Sequence, residues 1–168
     1  MDLCNITEIK ALLARHGFHF SKAKGQNFLT AAWVPERIAD EAGVDETCGV
    51  LEVGPGIGPL TRQLCRRAKK VVAVEVDTSL QPLLAETMAG CENLEILFRD
   101  ILKTDIPALV REEFPGLRPM ACANLPYYIT TPILAALLES RSFSSVTVMV
   151  QKEVAQRICA PAGKSEYG

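Results

Sequence analysis

A run of apolar residues leads directly into a glycine-rich turn in residues 50–58, VLEVGPGIG. Three of its first four residues are apolar, which is typical of a strand covered on both faces of a sheet. Gly54 and Gly56 then let the chain turn tightly and bring its backbone close to a ligand without an intervening Cβ. A helical pattern follows at once, so the free N–H groups of its first turn face the same place. This strand–turn–helix unit predicts an open α/β sheet with a ligand site beyond the carboxyl ends of its strands.

Strand-like and helix-like segments alternate along the rest of the chain. The apolar runs predict strands over residues 50–53, 71–74, 94–98, 120–123 and 146–150. Helical spacing predicts helices over about residues 7–16, 35–42, 60–67, 79–88, 106–114, 132–138 and 153–159. Thr131 is expected to cap the sixth of these, with Pro132 at its first position. Because a helix follows each strand, the strands should pair in parallel through right-handed crossovers. The predicted fold class is therefore α/β and Rossmann-like, a mostly parallel sheet with helices on both faces.

The composition predicts one soluble globular domain: the chain has 168 residues, of which 48% are hydrophobic and 23% charged. Its formal net charge of -2 gives no sign of a nucleic-acid partner at the level of the whole chain. Five basic residues nevertheless lie within residues 62–70. Either a solvated helix face or a phosphate-binding patch explains such a stretch.

The cysteine pattern and the N-terminal sequence indicate the cellular compartment. None of the six cysteines forms a Cys-x-x-Cys pair, and no histidine lies at zinc-ligand spacing. We therefore expect no metal site and no disulfide framework. The N-terminus lacks the apolar stretch of a signal peptide, and no apolar run reaches membrane-spanning length. These features predict a protein of the reducing cytoplasm with no membrane partner.

Three predicted strands end in a polar residue at the expected ligand edge: Glu75, Asp100 and Asn124. A carboxylate at the position of Glu75 can accept hydrogen bonds from both hydroxyls of a ribose, and Asp100 is placed to accept from an adenine amino group. Taken singly, Glu75 is better explained as an ordinary strand-end acid, and Asp100 as a turn or helix cap. Together with the glycine turn, the three strand ends predict a nucleoside-containing cofactor.

Two residues around the turn favour S-adenosylmethionine over a dinucleotide as the cofactor. Glu52 lies two places before Gly54 and suits the positively charged methionine portion of S-adenosylmethionine, whereas it would repel a pyrophosphate. Pro59 stands where the dinucleotide fingerprint has its third glycine. We therefore predict S-adenosylmethionine as the cofactor and disfavour an NAD-dependent enzyme.

The fourth predicted strand ends in Asn124, Leu125, Pro126 and Tyr127, a sequence that suits methylation of an exocyclic amine. The side-chain oxygen of Asn124 and the carbonyl of Leu125 can each accept one N–H of an adenine N6 amine, which draws its lone pair out of the ring. Pro126 gives a rigid turn, and Tyr127 offers a face on which an extruded base can stack. The alternative is a plain strand-end turn. No general base is needed, so catalysis would depend on positioning and electrostatic support.

In combination these motifs resemble the ribosomal RNA adenine dimethylase family. The resemblance runs through residues 25–29 (GQNFL), 51–56 (LEVGPG), 124–133 (NLPYYITTPI) and 150–155 (VQKEVA), and so covers nearly the whole chain. It implies a Rossmann-like S-adenosylmethionine-dependent methyltransferase fold. It also implies N6,N6-dimethylation of two adjacent adenines in the 3′-terminal hairpin of 16S rRNA, with the assembling small ribosomal subunit as partner.

The resemblance also assigns residues. It gives cofactor roles to Asn27 and Leu29, in a segment that the residues alone describe only as a basic arm, and it supports those of Gly54, Glu75, Asp100 and Asn124. Residues 1–32 then form an N-terminal helix and a flap over the cofactor, and residues 33–168 form the cofactor-binding domain. Because the family continues with further strands and a small helical domain, the chain is expected to be incomplete at its C-terminus, and to bind cofactor while methylating RNA poorly.

Two alternatives stay open within this reading. One is a large-subunit rRNA adenine methyltransferase of the kind that confers antibiotic resistance. The other is an assembly factor that binds RNA without transferring methyl groups. Leu125 and the residues after it favour the small-subunit branch, and the intact set of Gly54, Glu75, Asp100 and Asn124 favours an enzyme.

Overall fold

A computed structural model describes residues 1–18, 29–125, 129–161 and 163 of the chain. Five strands form one sheet: β1 (Cys48–Val53), β2 (Lys70–Glu75), β3 (Leu94–Phe98), β4 (Arg118–Asn124) and β5 (Ser145–Met149). Their order is β3-β2-β1-β4-β5, and every neighbouring pair is parallel. The helices are α1 (Ile6–Arg15), α2 (Trp33–Glu41), α3 (Pro59–Cys65), α4 (Gln81–Thr87), α5 (Ile106–Glu113), α6 (Thr130–Glu139) and α7 (Lys152–Ile158). The predicted α/β class with a parallel sheet and helices on both faces is confirmed.

The two faces of β1 belong to different parts of the core, because successive side chains of a strand alternate between faces. Leu51 and Val53 pack in a cluster with α5 and α6. Val50 packs on the opposite face with α2 and α3. On that second face, α1 and α4 pack around Ile57 of the glycine-rich turn. The turn therefore lies on a buried floor supplied by the first and fourth helices.

The start of α6 differs from the prediction. This helix begins at Thr130, its N-cap Ile129 makes no side-chain cap hydrogen bond, and Thr131 is an exposed residue inside the first turn. The expectation that Thr131 caps the helix is therefore wrong. The earlier start puts Thr130, Ile133 and Leu137 on one face, and all three are buried. Pro132 is still tolerated, since a first-turn N–H has no acceptor inside the helix.

Several cations of the basic stretch at residues 62–70 are bound to protein groups. Arg62 donates to the carbonyls of Met1 (2.8 Å) and Thr87 (2.9 Å), which ties α3 to the N-terminus and to α4. Arg67 pairs with Asp40 of α2 at 2.8 Å. Lys70 pairs with glutamates of β3 and α5. The last two basic residues of the stretch, Arg66 and Lys69, are exposed. Much of this positive charge therefore holds the fold together.

Within the described residues, no helix combines the length and the apolarity that crossing a membrane requires.

Close packing between β1 and the end of α5 depends on the absence of a side chain at Gly49. A Cβ at this position would overlap the ring of Phe114, which is buried. We expect Gly49→Ala to lower the free energy of unfolding by about 1–3 kcal/mol, the usual range for overpacking a core. Urea denaturation of the reduced protein measures this change.

Gly90→Ala is the matched control, because a Cβ there meets no described atom within 4 Å and its backbone φ is not positive. It should change stability by less than about 0.5 kcal/mol. Equal effects of the two substitutions would contradict the packing of Phe114 on β1.

Candidate functional site

Parallel pairing brings the polar strand ends to one edge of the sheet. Val53 is in register with Val74 of β2 and with Ala123 of β4, and Glu75 is in register with Phe98 of β3. The glycine-rich turn, Glu75, Asp100 and Asn124 therefore lie at the same carboxyl edge, as the sequence predicts. We call this edge the rim.

The glycine-rich turn leaves open space above it. Gly54 and Gly56 adopt positive φ values of 72° and 61°, which L-residues with a Cβ rarely adopt, and a Cβ at either would meet nothing within 4 Å among the described residues. Gly58 is different, since a Cβ there would overlap Met88 of the floor below. The turn is thus packed from beneath and open on the side of the rim, which is the form of a ligand cradle.

Glu75 is fixed in place by backbone donors. The N–H of Asp77 donates to its Oε1 (2.9 Å) and the N–H of Gly56 donates to its Oε2 (3.4 Å). Burial raises the pKa of this carboxyl, while the backbone hydrogen bonds oppose the shift. Each carboxylate oxygen has a second lone pair, so the oriented group can still accept from two hydroxyls of a ligand.

Asp100 is the N-cap of a short 3-10 turn, Ile101–Lys103, and its Oδ1 accepts the N–H of Leu102 at 2.9 Å. Its other oxygen, Oδ2, lies 3.9 Å from the exposed ammonium of Lys103. The capping role considered from the sequence is therefore present. It also orients the carboxyl at the rim, so capping and ligand binding are compatible.

Two apolar residues at the rim were missed by the sequence analysis. Val76 directly follows Glu75 and is 68% exposed, and Leu102 lies two places after Asp100 and is 40% exposed. A single exposed apolar residue needs no explanation, but exposed apolar residues grouped beside an open turn are typical of a binding surface. An apolar residue directly after a strand-end acid is the sequence signal that points to Val76. At the ends of neighbouring strands, the two offer apolar surface to a flat ring.

Glu52 lies beneath the turn, in the core. Its side chain shares the face of β1 that carries α3 and is only 1% exposed. Neither its Oε2 nor the hydroxyl of Thr61, which is also buried, has a hydrogen-bond partner among the described residues. Burial raises the pKa of Glu52 to about 8, and the negative charge of Glu75 adds to the shift. Thr61 lies near enough to oppose that rise, although the two oxygens do not meet in hydrogen-bond geometry.

Some of the remaining predicted site residues lie among the described residues, and others lie outside them. Asn124 is half-buried as the last residue of β4, and Leu125 is buried, its N–H donating to the carbonyl of Met149 (3.2 Å). Leu29 is half-buried just before α2. Three further predicted residues lie outside the described residues: Asn27, Pro126 and Tyr127.

A second concavity lies at the opposite, amino-terminal edge of the sheet. This groove of about 610 Å³ is lined by residues that include Lys69, Asn93 and Glu112. It contains none of the predicted site residues. In the part of the chain that the structure covers, no group of three or more His, Cys, Asp or Glu side chains is placed to hold a metal ion.

Comparison with known proteins agrees with this fold. Residues 17–168 match the family described as ribosomal RNA adenine dimethylase. A curated relative, the ribosomal RNA small subunit methyltransferase A of Geobacillus thermodenitrificans, is 47% identical over 99% of this chain and 58% of its own length. The crystal structure of the 23S rRNA methyltransferase ErmE superposes with a TM-score of 0.68 and 33% identity, over 78% of this chain and 50% of that one. A dimethyladenosine transferase from Plasmodium falciparum gives 0.66 and 31%, over 81% and 47%.

The fold is that of the Rossmann-like, S-adenosylmethionine-dependent methyltransferases. Within this class, the chain belongs to the ribosomal RNA adenine dimethylase family. It spans 58% of the length of the Geobacillus relative.

The buried carboxyl of Glu52 makes stability depend on pH. Its pKa rises from an ordinary 4.5 to about 8 in the folded protein, so the folded state binds this proton more tightly than the unfolded state. The stability contributed by Glu52 is therefore complete below about pH 4.5 and is lost as the pH rises through about 8. Glu52→Gln keeps a neutral group of similar shape. It should be more stable than the parent by a few kcal/mol at about pH 9, since one pKa unit corresponds to about 1.4 kcal/mol, and the difference should shrink toward about pH 5.

Urea denaturation at the two pH values measures the difference. Glu46→Gln, at an exposed position, is the control and should leave the pH dependence of the parent unchanged. A Glu52→Gln variant with the same pH dependence as the parent would show that Glu52 is already ionised in the folded protein.

Proposed function

We propose that this protein is an S-adenosylmethionine-dependent rRNA adenine-N6,N6-dimethyltransferase that acts on two adjacent adenines in the 3′-terminal hairpin of 16S rRNA. The observation that carries the proposal is the meeting of the open glycine turn, Glu75, Asp100 and Asn124 at one rim. Curated relatives that are 47% and 48% identical to the chain are named ribosomal RNA small subunit methyltransferase A, which supports the small-subunit substrate.

The residues of the rim fit S-adenosylmethionine. The open turn at Gly54 and Gly56 receives the central part of the cofactor. Glu75 accepts hydrogen bonds from the ribose hydroxyls, and Asp100 accepts one from the adenine amino group. Val76 and Leu102 supply apolar surface for the adenine ring. The unpartnered Oε2 of Glu52, buried beneath the turn, matches the positive methionine portion. When bound, the cofactor supplies an electrophilic methyl group on its sulfonium. Leu29 and Asn27 belong to the flap that we place over it.

At the end of β4, the chain orients the target amine. The side-chain oxygen of Asn124 and the carbonyl of Leu125 each accept one N6–H bond, so the nitrogen lone pair is turned out of the adenine ring and toward the methyl donor. Leu125 is held by its N–H bond to β5, which fixes the position of this short segment. Pro126 rigidifies the turn and Tyr127 stacks on the extruded base, and both roles rest on the sequence pattern. The step uses positioning rather than a general base.

The partner is 16S rRNA in the assembling small ribosomal subunit, and the cytoplasm is where such assembly takes place. The similarity to ErmE supports a second candidate, methylation of large-subunit rRNA. Incubation of the longest natural form of the protein with labelled S-adenosylmethionine and, in separate reactions, unmethylated small-subunit particles and large-subunit rRNA distinguishes the two. We expect label in the small-subunit hairpin as N6,N6-dimethyladenosine. Label confined to large-subunit rRNA would favour the second candidate, and label in neither would favour a non-catalytic assembly factor.

Cofactor binding should raise the thermal stability of the chain. A ligand at a hundredfold excess over its dissociation constant stabilises a folded protein by about 2.7 kcal/mol. We expect S-adenosylmethionine and S-adenosylhomocysteine to raise the melting temperature and NAD to leave it unchanged, as measured by a thermal shift assay. Glu75→Ala should weaken the response to both S-adenosyl ligands, because the ribose loses its acceptor.

Glu46→Ala removes an exposed carboxyl away from the rim and serves as the control, with an unchanged response. A shift with NAD alone would contradict the cofactor assignment.

Loss of the acceptor at Asn124 should slow methyl transfer. We expect Asn124→Ala to lower kcat by about a hundredfold or more, the usual effect of removing one hydrogen bond that supports the reacting group. The labelled transfer assay on small-subunit particles measures this, with the longest natural form of the protein. Retention of full kcat by Asn124→Ala would exclude Asn124 from orienting the amine.

A further inference from the structure

Two buried oxygens beneath the glycine turn have no hydrogen-bond partner among the described residues. They are Oε2 of Glu52, at the end of β1, and Oγ1 of Thr61, in the first turn of α3. Their residues are 1% and 0% exposed. Buried polar atoms are almost always hydrogen-bonded, so an unpartnered pair below an open ligand cradle requires an explanation.

The surroundings of this pair disfavour a negative charge. Among the described residues, the titratable groups that face Glu52 are Cys65 from α3, Glu75 from β2 and Cys122 from β4, and all three are neutral or acidic. The nearest cation in sequence, Arg62, donates instead to the carbonyls of Met1 and Thr87. With burial raising the pKa of Glu52 to about 8, the carboxyl carries its proton at neutral pH while the cradle is empty.

A ligand with an ammonium group changes this balance, because an opposite charge nearby favours the ionised carboxyl. We propose that Glu52 gives up its proton to solvent when the ammonium of the cofactor binds, and that Thr61 is a positioning residue whose O–H then donates to the new carboxylate. This inference rests on the proposed S-adenosylmethionine site. The neutral carboxyl and the cationic ligand form an ion pair in the protein, and one proton passes to the buffer. Cofactor affinity is thereby coupled to pH.

Isothermal titration calorimetry tests the proton release directly. Titrations of the 168-residue chain with S-adenosylhomocysteine in buffers of different ionisation enthalpy, at about pH 6.5, count the protons released. We expect about one proton per ligand bound, and an affinity that tightens about tenfold between about pH 6 and about pH 7. 5′-Methylthioadenosine has the same nucleoside and thioether but no ammonium, so it should bind without proton release.

Substitutions identify the residue that releases the proton when the ligand binds. Glu52→Gln should abolish both the proton release and the pH dependence, with circular dichroism confirming the fold. Thr61→Val should weaken binding of S-adenosylhomocysteine about tenfold, with proton release retained, and Thr61→Ser should restore the affinity.

The possible failures are distinct. Binding of S-adenosylhomocysteine without proton release, or equal release with 5′-methylthioadenosine, would overturn the inference and leave the proposed function standing. Equal affinities of Thr61→Val, Thr61→Ser and the parent would overturn the role of Thr61. Failure of the parent chain to bind S-adenosylhomocysteine at all would contradict the proposed function itself.

Discussion

Parallel hydrogen bonding of β1 to β2 on one side and to β4 on the other is the constraint on which the site depends. This pairing places the carboxyl ends of the three strands side by side, and pairing of β2 with β3 extends the same edge of the sheet. Because every strand runs in one direction, all their carboxyl ends meet at the rim, and the groups that follow them become neighbours although they are far apart in sequence. The bond from the N–H of Gly56 to Glu75 then locks the glycine turn to β2. A cradle of set shape results before any ligand arrives.

The same arrangement places a carboxyl where water cannot reach it. Glu52 belongs to the buried face of β1, and its burial opposes the charge that a cationic ligand would stabilise. Without a ligand, the fold is thus less stable at alkaline pH than it would be with an apolar residue in place of Glu52, and an opposite charge near this carboxyl would oppose the effect. Functional sites commonly contain strained or unsatisfied groups of this kind, which the rest of the fold must support. Here that support comes from the clusters around Ile57 and Leu64 below the turn.

Much of the architecture was predictable from periodicity alone, since five apolar runs separated by helical segments permit few topologies. The rim residues were predictable because strand ends are visible in the sequence. The deep burial of Glu52 is harder to foresee, although the alternation of Val50, Leu51 and Val53 contains that information. The contacts of Arg62 depend on tertiary packing, which local sequence does not specify. The start of α6 was misplaced because burial of Thr130 outweighed the preference of Thr131 for a cap.

The central claim is that the rim holds the cofactor, and the most direct measurement is the mapping of amide chemical shifts by NMR on titration with S-adenosylhomocysteine. The largest changes are predicted at Gly54, Gly56, Val76 and Leu102, while the amides of Lys69 and Asn93 in the groove at the opposite edge stay unchanged. Changes concentrated in that groove, with the glycine turn unaffected, would contradict the claim.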